Sequence, residues 1–136
     1  MLGCTILFFQ IPLNMEAKEL RIGNFVSDKI NRCISIQEVR QDHYVFTLAN
    51  GSKIKYHINS AKPIPLTEDW LLKFGFKSVS LGEYQLGSIL LDNEYTDKGV
   101  FNISDGDHCL SSNVLYVHQL QNLYFALKQQ ELLLTT

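Results

Sequence analysis

The sequence predicts an α+β fold: a small SH3-like antiparallel barrel, then a short helix, a second antiparallel sheet and a C-terminal amphipathic helix. Three patterns carry this prediction. Residues 43–58 alternate around an Asn-Gly pair, which is typical of a β-hairpin. Residues 63–76, PIPLTEDWLLKFGF, contain signals that begin and end a short helix. Residues 118–133 place apolar side chains three and four positions apart, as on one face of a helix.

Composition indicates a folded globular chain of one domain or two small lobes. The 136 residues are 46% hydrophobic and 19% charged, which are ordinary values for globular proteins. The predicted division has three parts: an apolar leader at 1–14, an SH3-like β lobe at 15–65, and a helix–sheet–helix lobe at 66–136. The central helix therefore lies at the start of the second lobe.

The apolar leader, MLGCTILFFQIPLN, differs from the rest of the chain. It is shorter than the roughly 20 residues that a membrane helix needs, and it lacks the basic start and small-residue cleavage site of a signal peptide. Three interpretations stay open: an upstream start codon adds a non-native leader before Met15, the segment is a real strand, or it has a membrane or export role. The first two are favoured. Three cysteines without a CxxC pair favour reduced thiols. We therefore expect a cytoplasmic protein with no membrane association.

The hairpin can form in two registers, and the register decides what its faces carry. A two-residue loop, Asn50-Gly51, would pair Phe46 with Lys55 and build a mixed aromatic and basic face, as nucleic-acid-binding sheets have. A three-residue loop starting at Ala49 pairs Phe46 with Ile54 and separates apolar from polar side chains. Register follows such separation, so we favour the three-residue loop. The other pairs in that register are Tyr44–Tyr56, Val45–Lys55 and Thr47–Lys53.

Further strands are expected on both sides of the central helix, because apolar and polar residues alternate there and glycines mark the turns between strands. In the first lobe they lie at 20–27, interrupted by Gly23-Asn24, and at 33–39. In the second lobe they lie at 76–91, as one or two strands, and at 100–104 and 113–117. The closing helix, 118–133, is expected to dock on the second sheet through one face, formed by Leu120, Leu123, Tyr124, Leu127 and Glu131.

The central helix is sharply bounded. Thr67 is a good N-cap, acidic residues follow it in the first turn, and Gly75 suits the left-handed conformation that ends a helix. Trp70 and Phe74 lie four positions apart and so share a face. We expect both to pack into the joint between the lobes; the alternative is that they bind a protein partner, because exposed aromatics carry interface energy.

Catalytic, metal and cofactor sites are not indicated by any motif. The acidic stretch 92–99, DNEYTDKG, resembles the start of a calcium loop. A loop that begins at Asp92 needs glycine at its sixth position and glutamate at its twelfth, but this chain has Asp97 and Ile103 there. Asp105-Gly106 is a common turn pair, and the adjacent His108 and Cys109 would point to opposite faces of a strand. There is no GxSxG elbow and no phosphate-binding glycine loop. We predict no catalytic residue, no metal and no cofactor.

Charge is unevenly distributed along the chain. Residues 1–77 hold ten Lys/Arg and seven Asp/Glu, whereas residues 78–136 hold two and seven. The net charge of −2 excludes a generally basic nucleic-acid binder, but a local basic face on the first lobe remains an alternative. The candidate residues for that face are Arg21, Lys29, Arg32, Arg40, Lys53 and Lys55.

Three segments together resemble a family of small uncharacterised bacterial proteins that phages and integrated mobile elements often carry. They are ELRIGN (19–24), PIPLTEDWLLKFGF (63–76) and YVHQLQNLYFAL (116–127). The family typically closes with VHQLQNLYFALTGEEL, so Lys128-Gln129-Gln130 replaces the usual Thr-Gly, and the helix is free to continue where relatives turn. The resemblance covers residues 15–133, implies a compact cytosolic accessory protein starting at Met15, and brings no catalytic residue.

These observations predict a non-enzymatic protein-interaction module of phage or mobile-element type. Its partner would be a protein of host or phage machinery, and inhibition of a host defence complex is one form this function could take. The alternative is a nucleic-acid-binding accessory protein that uses the basic first lobe, and a third class is an enzyme using Cys109 or a histidine. The identity of the partner and the oligomeric state are not encoded in any motif.

Overall fold

The computed structural model describes residues 19–48, 50–93 and 99–135. The chain divides into two compact units, Met1–Ile64 and Pro65–Thr136. The described residues form two antiparallel sheets and two α-helices, which confirms the predicted α+β class. The apolar leader, Ala49 and most of the acidic stretch 92–99 lie outside the described residues.

The first unit contains an open sheet in the order β1-β2-β3-β4. A short 3-10 turn, Ile58–Ser60, follows the last strand, and the backbones of Ser27 and Lys62 then exchange two hydrogen bonds of 2.9 and 2.8 Å. This single bridge is not a continuous ladder, so no closed barrel is present among the described residues and the predicted SH3-like barrel is not confirmed. The strands are β1 (Phe25–Ser27), β2 (Cys33–Val39), β3 (His43–Thr47) and β4 (Lys53–His57).

The β3–β4 hairpin has the predicted three-residue register. Phe46 pairs with Ile54 and Tyr44 with Tyr56. Gly51 has a φ of 90°, the left-handed conformation that the bulge position of such a loop requires. The two tyrosines and Phe46 lie in the buried core cluster or against it, while Lys53 and Lys55 are exposed. The separation of apolar from polar side chains therefore decided the register, as expected.

The turn before β1 is built by the predicted Gly23-Asn24 pair. Gly23 has a φ of 94°, and the buried side chain of Asn24 accepts a 2.7 Å hydrogen bond from the backbone N–H of Arg21. In β2 the alternation also holds, because Ile34 and Ile36 are buried. The turn and the strand together bury the apolar side of the sheet against Leu20.

The second unit contains a five-stranded meander in the order β5-β6-β7-β8-β9. The segment 76–91 forms three strands rather than one or two, because Gly82 and Gly87 both adopt positive φ and reverse the chain. The last strand begins at His108, five residues before the predicted start. The elements are α1 (Glu68–Lys73), β5 (Lys77–Ser80), β6 (Glu83–Leu86), β7 (Ile89–Asp92), β8 (Phe101–Asp105), β9 (His108–Val114) and α2 (Val117–Lys128).

The closing helix α2 ends at Lys128, so the prediction that it continues to about residue 133 is wrong. Gln129 adopts the left-handed conformation, with φ 57° and ψ 27°, and its N–H bonds to the carbonyl of Phe125 at 2.8 Å. Of the predicted apolar face only Leu120 is fully buried, and the buried residues concentrate in the first half of the helix. The helix turns where the resembling family has glycine, although this chain has glutamine there.

We expect Gln129→Gly to raise the free energy of unfolding by about 0.5–1 kcal/mol. A side chain in the left-handed conformation costs roughly 1–2 kcal/mol, and glycine removes that cost while losing some unfolded-state entropy. Urea unfolding of the full chain measures the change. Gln130→Gly is the matched control, since Gln130 has no positive φ, and it should lower stability by a few tenths of a kcal/mol. Equal effects of the two substitutions would contradict the expectation.

Candidate protein-binding groove

The helix α1 is held at both ends by contacts that its sequence specifies. At its start, the hydroxyl oxygen of Thr67 accepts a 3.4 Å hydrogen bond from the backbone N–H of Trp70, as predicted for the N-cap. At its end, Gly75 has a φ of 94°, and the N–H of Phe76 bonds to the carbonyl of Leu71 at 3.0 Å. The predicted cap and stop are therefore both confirmed.

A hydrogen bond joins the first turn of α1 to the sheet. The hydroxyl of Tyr84 on β6 donates to the carboxylate of Glu68, and the tyrosine is buried. This bond to Glu68, with burial and the carboxylate charge adding to it, raises the pKa of Tyr84 to about 12. The contact fixes the helix over β6.

We expect Glu68→Gln to lower the pKa of Tyr84 from about 12 toward its ordinary value of 10.0. The folded protein holds this proton more tightly than the unfolded chain does. The stability from the bond is therefore complete below about pH 10 and is lost as the pH rises through about 12. An NMR titration of labelled tyrosine rings resolves Tyr84. Asp69→Asn on the same turn is the control and should leave the titration unchanged; an unchanged titration in Glu68→Gln would refute the assignment.

The two aromatic residues proposed to bind a partner have different environments. Phe74 is buried, whereas Trp70 is only partly buried. Their ring centroids lie 5.7 Å apart, and the ammonium of Lys73 lies 5.2 Å from the centroid of the Trp70 ring. Phe74 therefore belongs to the core. Trp70 keeps part of its surface exposed but has the Lys73 side chain above its ring.

The C-terminal segment returns to the end of α1. The N–H and the hydroxyl of Thr135 both donate to the carbonyl of Lys73, at 2.6 and 3.0 Å, and Leu132 is buried. A Cβ atom on Gly75 would come within 3.3 Å of the Thr135 methyl group and 3.9 Å of Leu86. The absence of a side chain at Gly75 thus lets the C-terminal segment and the β6 end approach α1 closely.

An open groove of about 340 Å³ lies beside this junction. Lys77 and Val79 of β5 form one side, and the end of β6 forms the other. All four residues of β5 are exposed, and Val79 is 54% exposed. The residues that line the groove are Gly75, Lys77, Val79, Gln85, Leu86 and Gly87.

Three exposed leucines lie on the two segments that meet at Gly75, the end of α1 and the C-terminal segment. Leu72, whose carbonyl accepts from the Gly75 N–H at 3.0 Å, is 46% exposed, and Leu133 and Leu134, which precede Thr135, are 71% and 42% exposed. Scattered exposed leucines are normal, but several on neighbouring elements form the kind of apolar surface that marks an interaction site. We refer to the six groove residues together with Leu72, Leu133 and Leu134 as the α1–β5 surface.

The six basic residues proposed for nucleic-acid binding do not form one face. Lys29 and Arg32 lie over the rings of Tyr56 and Phe46, at 4.6 and 5.7 Å from the centroids. Lys53 and Lys55 alternate with Tyr56 along β4 and so project from the other side of the sheet. Phe46 is buried and cannot stack on a base.

Arg32 and Arg40 are paired with carboxylates of the described residues. Arg32 Nε lies 2.7 Å from Asp28 Oδ2, and Arg40 lies 3.1 Å from Glu38. Arg21 is partly buried at the turn before β1. The charge that remains for phosphate groups is therefore less than the sequence count indicates.

The two histidines of the first unit lie side by side on neighbouring strands. His43 and His57 are opposite each other on β3 and β4, with ring centroids 5.3 Å apart. A 2.6 Å hydrogen bond with His43 holds the pKa of Asp42 below its usual value, and His57 Nδ1 accepts from the backbone N–H of Asn59 at 3.1 Å. Neither ring is hydrogen-bonded to a serine or cysteine side chain in the described part of the chain.

The second unit contains the other two histidines. His108 and Cys109 occupy successive exposed positions on β9 after the predicted turn, whose Gly106 has a φ of 63°. His118 is buried near the start of α2 and stacks on Tyr116, with ring centroids 6.0 Å apart. Across residues 19–48, 50–93 and 99–135, no group of three or more His, Cys, Asp or Glu side chains could hold a metal ion.

Sequence reasoning did not identify the groove. It treated Lys77, Val79 and Gln85 only as strand residues. Part of the signal was present, because Val79 and Leu81 are apolar, two positions apart and followed by a glycine, which indicates a strand with one apolar face. The junction with Thr135 gave no local signal.

No family model, no curated protein and no solved structure matches this chain. The motif resemblance to proteins of mobile elements therefore stays a prediction. Among the described residues, neither helix has the length and apolar character needed to cross a membrane. The assignment of function rests on the geometry of the chain.

Proposed function

We propose that this protein is a non-enzymatic protein-interaction module and that it binds its partner through the α1–β5 surface. One observation carries the proposal: an open groove lined by the exposed Val79 and by Leu86 lies beside Gly75, where the end of α1 and the C-terminal segment with its exposed leucines also meet. Burying such a surface against a partner is favourable by about 25 cal/mol per Å² of apolar area.

Finer features of the prediction are consistent with this function and belong to the same proposal. The 3-10 turn followed by the Ser27–Lys62 bridge supports an SH3-like arrangement of the first unit. The three sequence motifs support an origin in phages or mobile elements, with a partner in host or phage machinery. Inhibition of a host defence complex is the form of activity that such an origin favours.

Site-specific photo-cross-linking in the native host tests the proposal. A photoreactive amino acid replaces Gln85, which lines the groove, and in a second protein it replaces Ile30, an exposed residue of the first unit. We expect a discrete protein adduct from position 85 and none from position 30. The adduct should disappear when Val79→Asp is added and persist with Leu110→Asp, since Leu110 is exposed on β9.

Two results would contradict the proposal. One is the absence of any protein adduct from position 85. The other is an adduct whose yield is the same with Val79→Asp and with Leu110→Asp, because contact at the groove would then be incidental. Circular dichroism of each variant confirms that it folds before the cross-linking is interpreted.

A further inference from the structure

We infer that the groove beside β5 accepts an extended segment of the partner protein in which apolar side chains flank a carboxylate. This inference rests on the proposed function and adds the chemistry of the bound segment. It follows from the lining of the groove, from its charge and from the shape of β5.

The apolar requirement comes from the two sides of the groove. Val79 on β5 is more than half exposed, and Leu86 at the end of β6 faces the same groove. Gly75 and Gly87 add backbone without side chains, so a bound chain can approach closely there. Apolar side chains of a bound segment would cover Val79 and Leu86 and remove their surface from water.

The carboxylate requirement comes from charge. Lys77 is the one charged residue among the six that line the groove, although residues 65–136 carry nine Asp/Glu and only four Lys/Arg. Lys77 makes no ion pair with any residue that the structure describes. A positive groove on a unit of negative net charge selects a local carboxylate and disfavours a basic segment, since complementary charge gives specificity.

The shape of β5 decides how the segment is held. The register between β5 and β6 shifts between Ser78 and Ser80, so Val79 is the extra residue of a β-bulge. A bulge re-aims its side chain and turns the strand edge away from regular pairing. The bound segment is therefore held through its side chains, with Val79 projecting toward it, and not through a long added ladder of backbone hydrogen bonds.

A small molecule fits this groove less well than a peptide segment. The volume of about 340 Å³ is near the lower end of the roughly 300–1,000 Å³ found for ligand pockets. Such pockets bury about 70–90% of a drug-sized ligand, but the lining side chain of Val79 is half open to solvent and every residue of β5 is exposed. An extended chain can lie across such an open groove and continue over the neighbouring leucines.

Selection from a phage-displayed library of random linear peptides tests the inference on the full-length protein. We expect enriched peptides to carry Asp or Glu with apolar residues close on both sides. Synthetic versions should bind with Kd values at least about tenfold weaker to Lys77→Glu and to Val79→Asp. Lys53→Glu and Leu110→Asp are the matched controls, and both should bind like the original protein because these residues are exposed elsewhere.

A second selection uses the Lys77→Glu protein. Reversal of the groove charge should shift the enriched peptides from acidic to basic residues. Because this readout requires a folded protein that binds peptides, it does not depend on a loss of binding alone.

Four outcomes would overturn the inference: no enriched peptide, peptides with no acidic preference, binding that Val79→Asp leaves unchanged, or occupation of the groove by a second copy of the chain. Sedimentation of the chain with and without Val79→Asp detects the last outcome. If a partner still cross-links at position 85 in any of these cases, the proposed function stands and only the chemistry of the bound segment is wrong. If neither a partner nor a peptide is found, both fail.

Discussion

Replacing Phe74 by alanine is expected to lower the free energy of unfolding by about 3–5 kcal/mol, the usual cost of deleting a buried phenylalanine ring. Phe74 is buried, and so are Leu71, three positions before it, and Phe76, two positions after it. Its backbone N–H also bonds to the carbonyl of Trp70 at 3.0 Å and closes the last turn of α1. The substitution leaves a cavity where the helix ends.

Urea unfolding of the full chain measures this loss, and Trp70 supplies the signal. It is the only tryptophan and its ring centroid lies 5.7 Å from that of Phe74, so its fluorescence reports on the second unit. Leu72→Ala is the matched control on the same helix, where an exposed side chain should cost less than about 0.5 kcal/mol. Similar losses for Phe74→Ala and Leu72→Ala would show that Phe74 is not a core residue.

The contrast between Trp70 and Phe74 shows what helical spacing can and cannot predict. Residues four apart share a helix face, so the sequence correctly placed them together. The depth of each residue depends on what that face meets, and this is set by strands far along the chain. Phe74 is buried in the core, whereas Trp70 is partly exposed and lies beneath the ammonium group of Lys73.

Local signals were the most reliable ones throughout the chain. The cap at Thr67, the stop at Gly75 and the register at Gly51 all depend on residues within one turn or one hairpin, and all three are confirmed. The end of α2 was wrong because no glycine marks it: Gln129 takes a conformation that its side chain disfavours.

The groove depends on contacts that no local pattern encodes. Thr135 reaches the carbonyl of Lys73 across 62 positions of the chain, and this contact brings the exposed leucines of the C-terminal segment to the end of α1. Alternation can show that Val79 lies on a strand, but it cannot show that the strand is a bulged edge with both faces bare. Local patterns therefore predict the strands and helices, but they do not predict the groove, which long-range contacts form.

Replacing Asp28 by alanine is expected to lower the free energy of unfolding by about 2–4 kcal/mol. The Asp28 side chain is fully buried between β1 and β2. It accepts hydrogen bonds from the backbone N–H groups of Ile30 and Arg32, at 3.1 and 2.8 Å, and from the Arg32 guanidinium at 2.7 Å. Alanine leaves these donors without their acceptor, at roughly 1–3 kcal/mol each when buried.

The exposure of Arg32 keeps the loss below the full cost of breaking a buried ion pair, about 3–5 kcal/mol. Its side chain is 41% exposed, so water can solvate the guanidinium once the carboxylate is gone. Hydrogen exchange measures the effect locally, since the amides of Ile30 and Arg32 should lose protection first.

The sequence offered a signal for this turn, because the side chain of an aspartate before a tight turn often accepts a hydrogen bond from the backbone N–H two residues further on.

The same carboxylate makes the stability of the first unit depend on acid. Burial by itself would raise the pKa of Asp28, but the hydrogen bonds from Arg32 and Ile30 and the guanidinium charge outweigh it and hold the pKa below its ordinary value of 3.8. The folded state therefore binds this proton less readily than the unfolded chain. The stability from Asp28 is complete above about pH 4 and is lost as the pH falls through the lowered pKa.

Asp28→Asn separates the charge of this group from its role as a hydrogen-bond acceptor. The amide oxygen still accepts from the backbone N–H groups, but the amide nitrogen faces the Arg32 guanidinium and cannot pair with it. At neutral pH its stability should fall between those of the original protein and Asp28→Ala. Below about pH 4 its stability should change less with acid than that of the original protein, because the titrating carboxyl is gone. Equal acid dependence of the two proteins would show that Asp28 does not govern the acid unfolding of this unit.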